Sequence, residues 1–162
     1  ESAEGIGTTF VIRVPFRIDT DRESKAETEA KTEDSIRGLH ILLAEDNELN
    51  MEIAEFMLQN EGAVVTKTWN GQEAVEIFEK SRPDEFDVIL MDIMMPVMNG
   101  YEAAKMIRSM DREDAKTIPI IAMTANAFTE DRIKAKEAGM DEHISKPIDM
   151  KLLVKIIHEL VY

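Results

Sequence analysis

Four polar side chains close four hydrophobic runs of this chain. Asp46 follows Ile41-Leu42-Leu43-Ala44-Glu45, Asp92 follows Val88-Ile89-Leu90-Met91, Thr124 follows Ile120-Ile121-Ala122-Met123, and Lys146 follows His143-Ile144-Ser145. If those runs are neighbouring parallel strands, the four residues meet at one edge of one sheet. Two carboxylates, a hydroxyl and an ammonium around one pocket suit a divalent cation and a phosphoryl group. Glu45 adds a third acid, and like charges this close raise one another's pKa unless a cation intervenes. Oxygen-only ligation, with no His or Cys nearby, favours Mg2+, which binds through one or two carboxylates and accepts phosphate oxygens.

Each residue also has a plainer use. Asp46 can serve as a helix cap, a role Asp favours, and a lone lysine such as Lys146 most often decorates a surface. Asp92, directly after an apolar strand and ahead of Ile93-Met94-Met95-Pro96, fits a purely structural role less well. Lys146 precedes Pro147, so that bond is a candidate cis peptide that would aim the lysine back across the sheet edge. There it would neutralise charge on a phosphoryl group carried by Asp92.

The elements that must position these residues alternate. Strands are expected over 39–44, 63–68, 86–91, 118–123 and 142–145, and helices over 48–60, 71–81, 99–109, 129–138 and 149–161. Asp46 and Asn47 offer N-cap oxygens to the first helix, whose Met51, Ala54, Met57 and Leu58 share one face. Gly62 ends it, the Asn70-Gly71 and Asn99-Gly100 turns open the next two helices, and Gly139 closes the fourth. Strict βα alternation implies an α/β fold: a five-stranded parallel sheet, order 2-1-3-4-5, with helices on both faces. In that order the winding reverses between strands 1 and 3, where such folds bind ligands, and those strands end at Glu45-Asp46 and Asp92.

Composition removes other classes. The chain has 162 residues, 44% of them hydrophobic, enough for one sizeable core with an appendage. Thirty-three acids against 19 bases leave a net charge of −14, which argues against binding nucleic acid or an anionic membrane surface. With no cysteine, disulfides, thiolate catalysis and Cys-ligated zinc are excluded. The apolar runs are strand-sized and no basic-then-apolar leader opens the chain, so a cytoplasmic domain without direct membrane contact is expected, although a longer parent could be membrane-anchored.

With those residues in place, the segment from about Leu39 to Val161 resembles a response-regulator receiver domain. The resemblance rests on Glu45-Asp46, on Met91-Asp92-Ile93-Met94-Met95-Pro96-Val97-Met98-Asn99-Gly100, on Thr124-Ala125 and on Lys146-Pro147. It implies that Asp92 is the nucleophile that takes phosphate from a phosphohistidine, and that the module either relays it to a histidine phosphotransfer protein or regulates its own kinase. It further implies that Asp46, Asp92 and the backbone carbonyl of Met94 hold Mg2+, with Glu45 reaching the ion through water. Lys146 would stabilise the charge that grows in transfer. Thr124 would swing in as the switch hydroxyl, with His143 behind it where the family usually has Tyr or Phe. Met94 and Asn126 match positions that set how fast water reaches the acyl phosphate, and bulky, apolar Met94 implies slow hydrolysis. Leu49, Asn50, Ile53, Phe56 and Met57 on the first helix correspond to the face that docks histidine-bearing helices of a kinase or of a histidine phosphotransfer protein.

Ahead of the receiver pattern, Gly5-Ile6-Gly7-Thr8-Thr9-Phe10 followed by Val11-Ile12-Arg13-Val14-Pro15-Phe16 reads as a glycine turn entering a strand. It resembles the last glycine box and final strand of a histidine-kinase ATP-binding domain. The expected organisation is therefore a kinase remnant over 1–17, a charged linker over 18–37 and a receiver over 38–162, the order of a hybrid histidine kinase. By itself, the chain is expected to catalyse only its own phosphorylation and dephosphorylation. An aspartate-nucleophile, Mg2+-dependent phosphatase is the alternative from another class; it would want an acid two residues after the nucleophile, where Met94 stands. A flavin module would need a phosphate-cradling loop where Glu45-Asp46-Asn47-Glu48 would repel phosphate.

Overall fold

The computed structural model describes residues 2–3, 7–8, 35–125 and 129–162. The chain divides into two compact units, 1–32 and 33–162. In the first, Ser2–Ala3 pairs antiparallel with Gly7–Thr8. The strand expected over Val11–Phe16, most of the expected linker and Asn126 lie outside the described residues.

The second unit holds β1 (His40–Ala44), α1 (Glu48–Asn60), β2 (Val64–Thr68), α2 (Gly71–Lys80), β3 (Val88–Asp92) and α3 (Gly100–Ser109). It continues with α4 (Glu113–Thr117), β4 (Ile120–Thr124), α5 (Thr129–Glu137), β5 (Glu142–Ser145) and α6 (Met150–Val161). The sheet runs β2-β1-β3-β4-β5 with every pairing parallel, the order expected from the alternation. Sequence periodicity misses only α4, a five-residue helix. No helix among the described residues is long and apolar enough to cross a membrane.

Period-2 alternation makes the two faces. Ile41, Leu43, Val88, Leu90, Ile121, Met123 and Ile144 pack with Met51, Ala54 and Leu58 of α1 and Leu153 and Ile157 of α6. Leu42, Ala44, Ile89, Met91, Ile120 and Ala122 pack the other way, against Ala74 and Phe78 of α2, Ala103 and Ile107 of α3 and Ala135 of α5. A parallel strand buried on both faces must be apolar throughout, and β3 and β4 are buried at every position. Ile36, inside the stretch expected as linker, is 1% exposed and joins the α1/α6 layer.

Arg112 ties the rim of this core together. Its guanidinium donates to both carboxylate oxygens of Asp114, at 2.7 and 2.5 Å, and to the carbonyls of Phe78, Ser81 and Arg82 at the end of α2. It also lies 4.5 Å from the centre of the Phe78 ring. Hydrogen bonding from Arg112 holds the Asp114 carboxyl down at about 2. A carboxyl lowered in the folded state stabilises above its ordinary value of 3.8, and the gain is lost as pH falls toward about 2. Arg112→Ala is expected to cost about 2–4 kcal/mol, since it strips the carbonyls and leaves the Asp114 carboxylate without its cation. In urea unfolding across pH, Asp114→Asn should lose only the part of the acid-limb decline that falls between roughly pH 4 and pH 2.

Candidate functional site

Strand register brings the acids together. Ala44 pairs with Met91, so the next residues along, Glu45 and Asp92, come level at the ends of β1 and β3. Alternation gives Glu45 the parity of Ile41 and Leu43, and Asp92 that of Val88 and Leu90, so both belong to the α1/α6 side. Asp92 is the last residue of β3, and Thr124 the last of β4. Lys146 follows β5 with the parity of Ile144, and its peptide to Pro147 is cis, as the sequence led one to expect.

Lys146 joins the set. Its Nζ donates to Glu45 Oε2 at 2.5 Å and to Asp92 Oδ2 at 2.6 Å. The other Asp92 oxygen accepts from the backbone N–H of Met94 at 3.2 Å. Glu45 Oε1 accepts from the Asn50 side chain at 3.0 Å. One carboxylate oxygen each from Glu45, Asp46 and Asp92 lies within 4.8 Å of the other two, the spacing of a cation site. Glu45 and Asp92 are 2% and 6% exposed, whereas Asp46 faces solvent.

Asp46 is free for that cluster because Asn47, not Asp46, caps α1: its side chain accepts from Asn50 N at 3.0 Å. Of the two cap oxygens expected from sequence, one therefore serves the helix and the other the site. Asn50, expected on the partner face, turns its amide to Glu45. Sequence patterning gave no sign of that bond, although the spacing of five residues across a strand–helix junction permits it.

Burial, the largest influence, lifts the Asp92 carboxyl above the ordinary carboxylate value. The Lys146 ammonium and the Met94 N–H pull it back, and the Glu45 charge adds to the rise. For Lys146, burial acts downward, but the hydrogen bonds and charges of Asp92 and Glu45 together outweigh it and hold the ammonium above the ordinary lysine value. The resting cluster is one cation between two buried anions, with a third anion at its mouth.

Thr124 and His143 belong to the other face. Thr124 is buried, shares the parity of Ile120 and Ala122, and its carbonyl accepts from Lys146 N at 2.8 Å. His143 lies beside Arg132, Ile133 and Lys136 of α5, with Nδ1 2.8 Å from the Glu142 carboxylate. His143 is thus two strands away from Asp92 in the sheet order. On α1, Leu49, Ile53 and Phe56 are 64%, 49% and 73% exposed and form an i, i+4, i+7 stripe, while Met57 is half-buried. In the loop after Asp92, Met94 is largely exposed, and Val97 holds a left-handed φ of +68°.

A family model described as the response regulator receiver domain matches residues 41–158. "Histidine kinase 1" of Arabidopsis thaliana is 37% identical over 159 residues, covering 80% of this chain and 13% of that protein. Among solved structures, the receiver domain of a sensor histidine kinase from Pseudomonas aeruginosa PAO1, with a magnesium ion coordinated in its active-site cleft, is 40% identical. It superposes with a TM-score of 0.69, covering 76% of this chain and 98% of that one. The Saccharomyces cerevisiae receiver domain of Ssk1, solved with the histidine phosphotransfer protein Ypd1, is 30% identical, with a TM-score of 0.70 over 78% of this chain and 90% of that one. The chain spans between 5% and 18% of the length of the curated relatives reported in these comparisons.

Lys146 is the only cation bonded to Glu45 and Asp92 among the described residues. Lys146→Met is expected to destabilise the metal-free protein by about 2–4 kcal/mol at neutral pH, because two buried carboxylates lose their partner. A carboxyl raised by folding is favoured in its protonated form, so this cost should shrink as pH falls through the Asp92 value. Urea titrations of both proteins at neutral and mildly acid pH measure both effects.

Proposed function

The chain belongs to the response regulator receiver domain family, and from that premise we propose that Asp92 is its phosphoacceptor, charged by a phosphohistidine in the presence of Mg2+. The single observation that carries the assignment is the hydrogen bond from Lys146 to Asp92 inside a cluster of three carboxylates at the strand ends. In transfer, an Asp92 oxygen attacks phosphorus, a P–O bond forms, and the P–N bond to the donor imidazole breaks. The imidazole leaves with the electron pair on the nitrogen that held phosphorus, and it departs neutral because its other ring nitrogen carries the proton. Asp46, Asp92 and the Met94 carbonyl would hold the cation, with Glu45 in reach through water. When bound, Mg2+ supplies charge stabilisation at the phosphoryl oxygens. Lys146 moves its donation from the carboxylate to a phosphoryl oxygen, while Asn50 keeps Glu45 oriented. Thr124 then donates its hydroxyl to the new anion, and His143 occupies the adjoining position on β5.

This centre needs no general acid, which disfavours the phosphatase alternative: Met94 stands where that enzyme would place one. A receiver solved with Mg2+ in its cleft, 40% identical to this chain, supports the cation assignment. We read residues 1–17 as the end of a kinase ATP-binding domain and 18–37 as the linker to the receiver, with Ile36 near the linker's end seated in the receiver core. The parent is then a hybrid histidine kinase, a reading supported by relatives such as "Hybrid signal transduction histidine kinase M" of Dictyostelium discoideum, 43% identical over 123 residues. The module itself works in the cytoplasm and alters only its own phosphorylation state. Its outlet is a histidine phosphotransfer protein docked on Leu49, Ile53 and Phe56, with Asn50 and Met57 at the edge of the contact. The yeast receiver solved with its phosphotransfer protein, 30% identical, supports that outlet.

Intact-mass measurement after incubation with acetyl phosphate tests the centre. One phosphoryl adduct that requires Mg2+ and is absent from Asp92→Asn is the expected result, and catalytic turnover of phosphate esters without an adduct would refute it. The docking face is tested separately. Ile53→Asp and Phe56→Glu should slow transfer to a histidine phosphotransfer protein by about 10-fold or more. Their labelling by acetyl phosphate should match the parent.

A further inference from the structure

The loop from Ile93 to Asn99 carries the Met94 carbonyl, and it is gripped at both ends. At its end, Gly100 N donates to Ile93 O at 3.0 Å, and a Cβ on Gly100 would stand 2.3 Å from the Asp92 carbonyl oxygen. The second grip comes from outside the loop. Gly71, the first residue of α2, donates its N–H to Met98 O at 3.1 Å. A Cβ on Gly71 would lie 2.6 Å from that oxygen, 3.1 Å from Asn99 O and 2.9 Å from Ala103 Cβ. Gly71 does not need glycine for its own backbone, since its φ lies outside the left-handed region and a first helical position suits most residues. What demands a missing side chain is the close approach of its neighbours, the Met98 carbonyl first, then the Ala103 methyl and the Asn99 carbonyl.

We propose that Gly71 is a positioning residue for the phosphoacceptor centre: the start of α2 pins Met98 and so sets where the Met94 carbonyl stands relative to Asp46 and Asp92. The proposal rests on the phosphoacceptor reading and extends the centre to an element that supplies no ligand to it. Met98 is four residues from Met94 in a seven-residue loop whose other end is fixed at Asp92. A displacement of Met98 is therefore passed into the segment between the two, where the carbonyl lies. Supporting groups outside a metal's own ligands typically change its affinity by about 10-fold when disturbed.

The test compares the parent with Gly71→Ala by calorimetric Mg2+ titration and by amide hydrogen exchange. Expected are a Mg2+ affinity lower by about 10-fold and faster exchange at the amides of Met98 and Gly100, with β1 and β3 unchanged. Two further variants separate the pin from helix packing. The double variant Gly71→Ala/Ala103→Gly frees the space at Ala103 while keeping the carbonyl collisions, so it should retain the Mg2+ defect and provides a folded sample if the single variant is too unstable. Ala74→Gly weakens α2 without touching the loop and should bind Mg2+ as the parent does. Mg2+ affinity within two-fold of the parent in Gly71→Ala, or recovery in the double variant, would overturn the assignment to Gly71 alone. A parent that binds no Mg2+ at all would overturn the phosphoacceptor reading together with it.

Discussion

One ammonium between two buried carboxylates is the constraint on which the site depends. Without Lys146, Glu45 and Asp92 would be adjacent anions at 2% and 6% exposure, an arrangement that burial alone makes costly. With it, both acids are bonded to an ammonium at the sheet edge, and the exposed Asp46 completes a cluster of three carboxyl groups. The hydrogen bonds of the site serve the same end. Asn50 occupies the remaining Glu45 oxygen and the Met94 N–H the remaining Asp92 oxygen, so each buried carboxylate is bonded at both oxygens.

The fold supplies that arrangement through parity. A parallel sheet covered on both faces sends alternate residues to opposite layers. The residues that follow the α1/α6 set off the strand ends, Glu45, Asp92 and Lys146, therefore emerge on one side. Thr124 and His143 carry the opposite parity, that of the face covered by α2, α3 and α5, with His143 beside α5. The sheet thus separates the three charged side chains from the threonine and histidine. The Lys146 N–H to Thr124 carbonyl bond joins the two at the backbone.

Much of this was legible in the sequence because it depends on local pattern. Apolar runs ending in Asp92 and Thr124, the Asn-Gly helix starts and the strict βα alternation led to the sheet order and to the cluster. Strand edges differ by one or two residues: β3 is Val88–Asp92, not 86–91, because Phe86 and Asp87 approach the sheet outside the ladder. What escaped is non-local. The helix α4 has five residues and an N-cap, Arg112, whose side chain makes no cap bond, so neither periodicity nor capping marks it. Arg112 instead reaches carbonyls 30 or more positions away, a relation that no spacing rule encodes. Ile36 looked like an isolated apolar residue in a charged stretch, and only the tertiary fold gives it neighbours.

Val97 occupies a left-handed backbone region that disfavours β-branched side chains, and at 84% exposure it has little packing to compensate. Holding such a residue there costs on the order of 1–3 kcal/mol. The segment joining Asp92 to α3 therefore rests above its own conformational minimum, like a drawn bow whose string is the backbone between two glycine-lined grips. Any event at Asp92 that lets this residue return to negative φ would recover that energy, so rearrangement of the segment begins partly downhill.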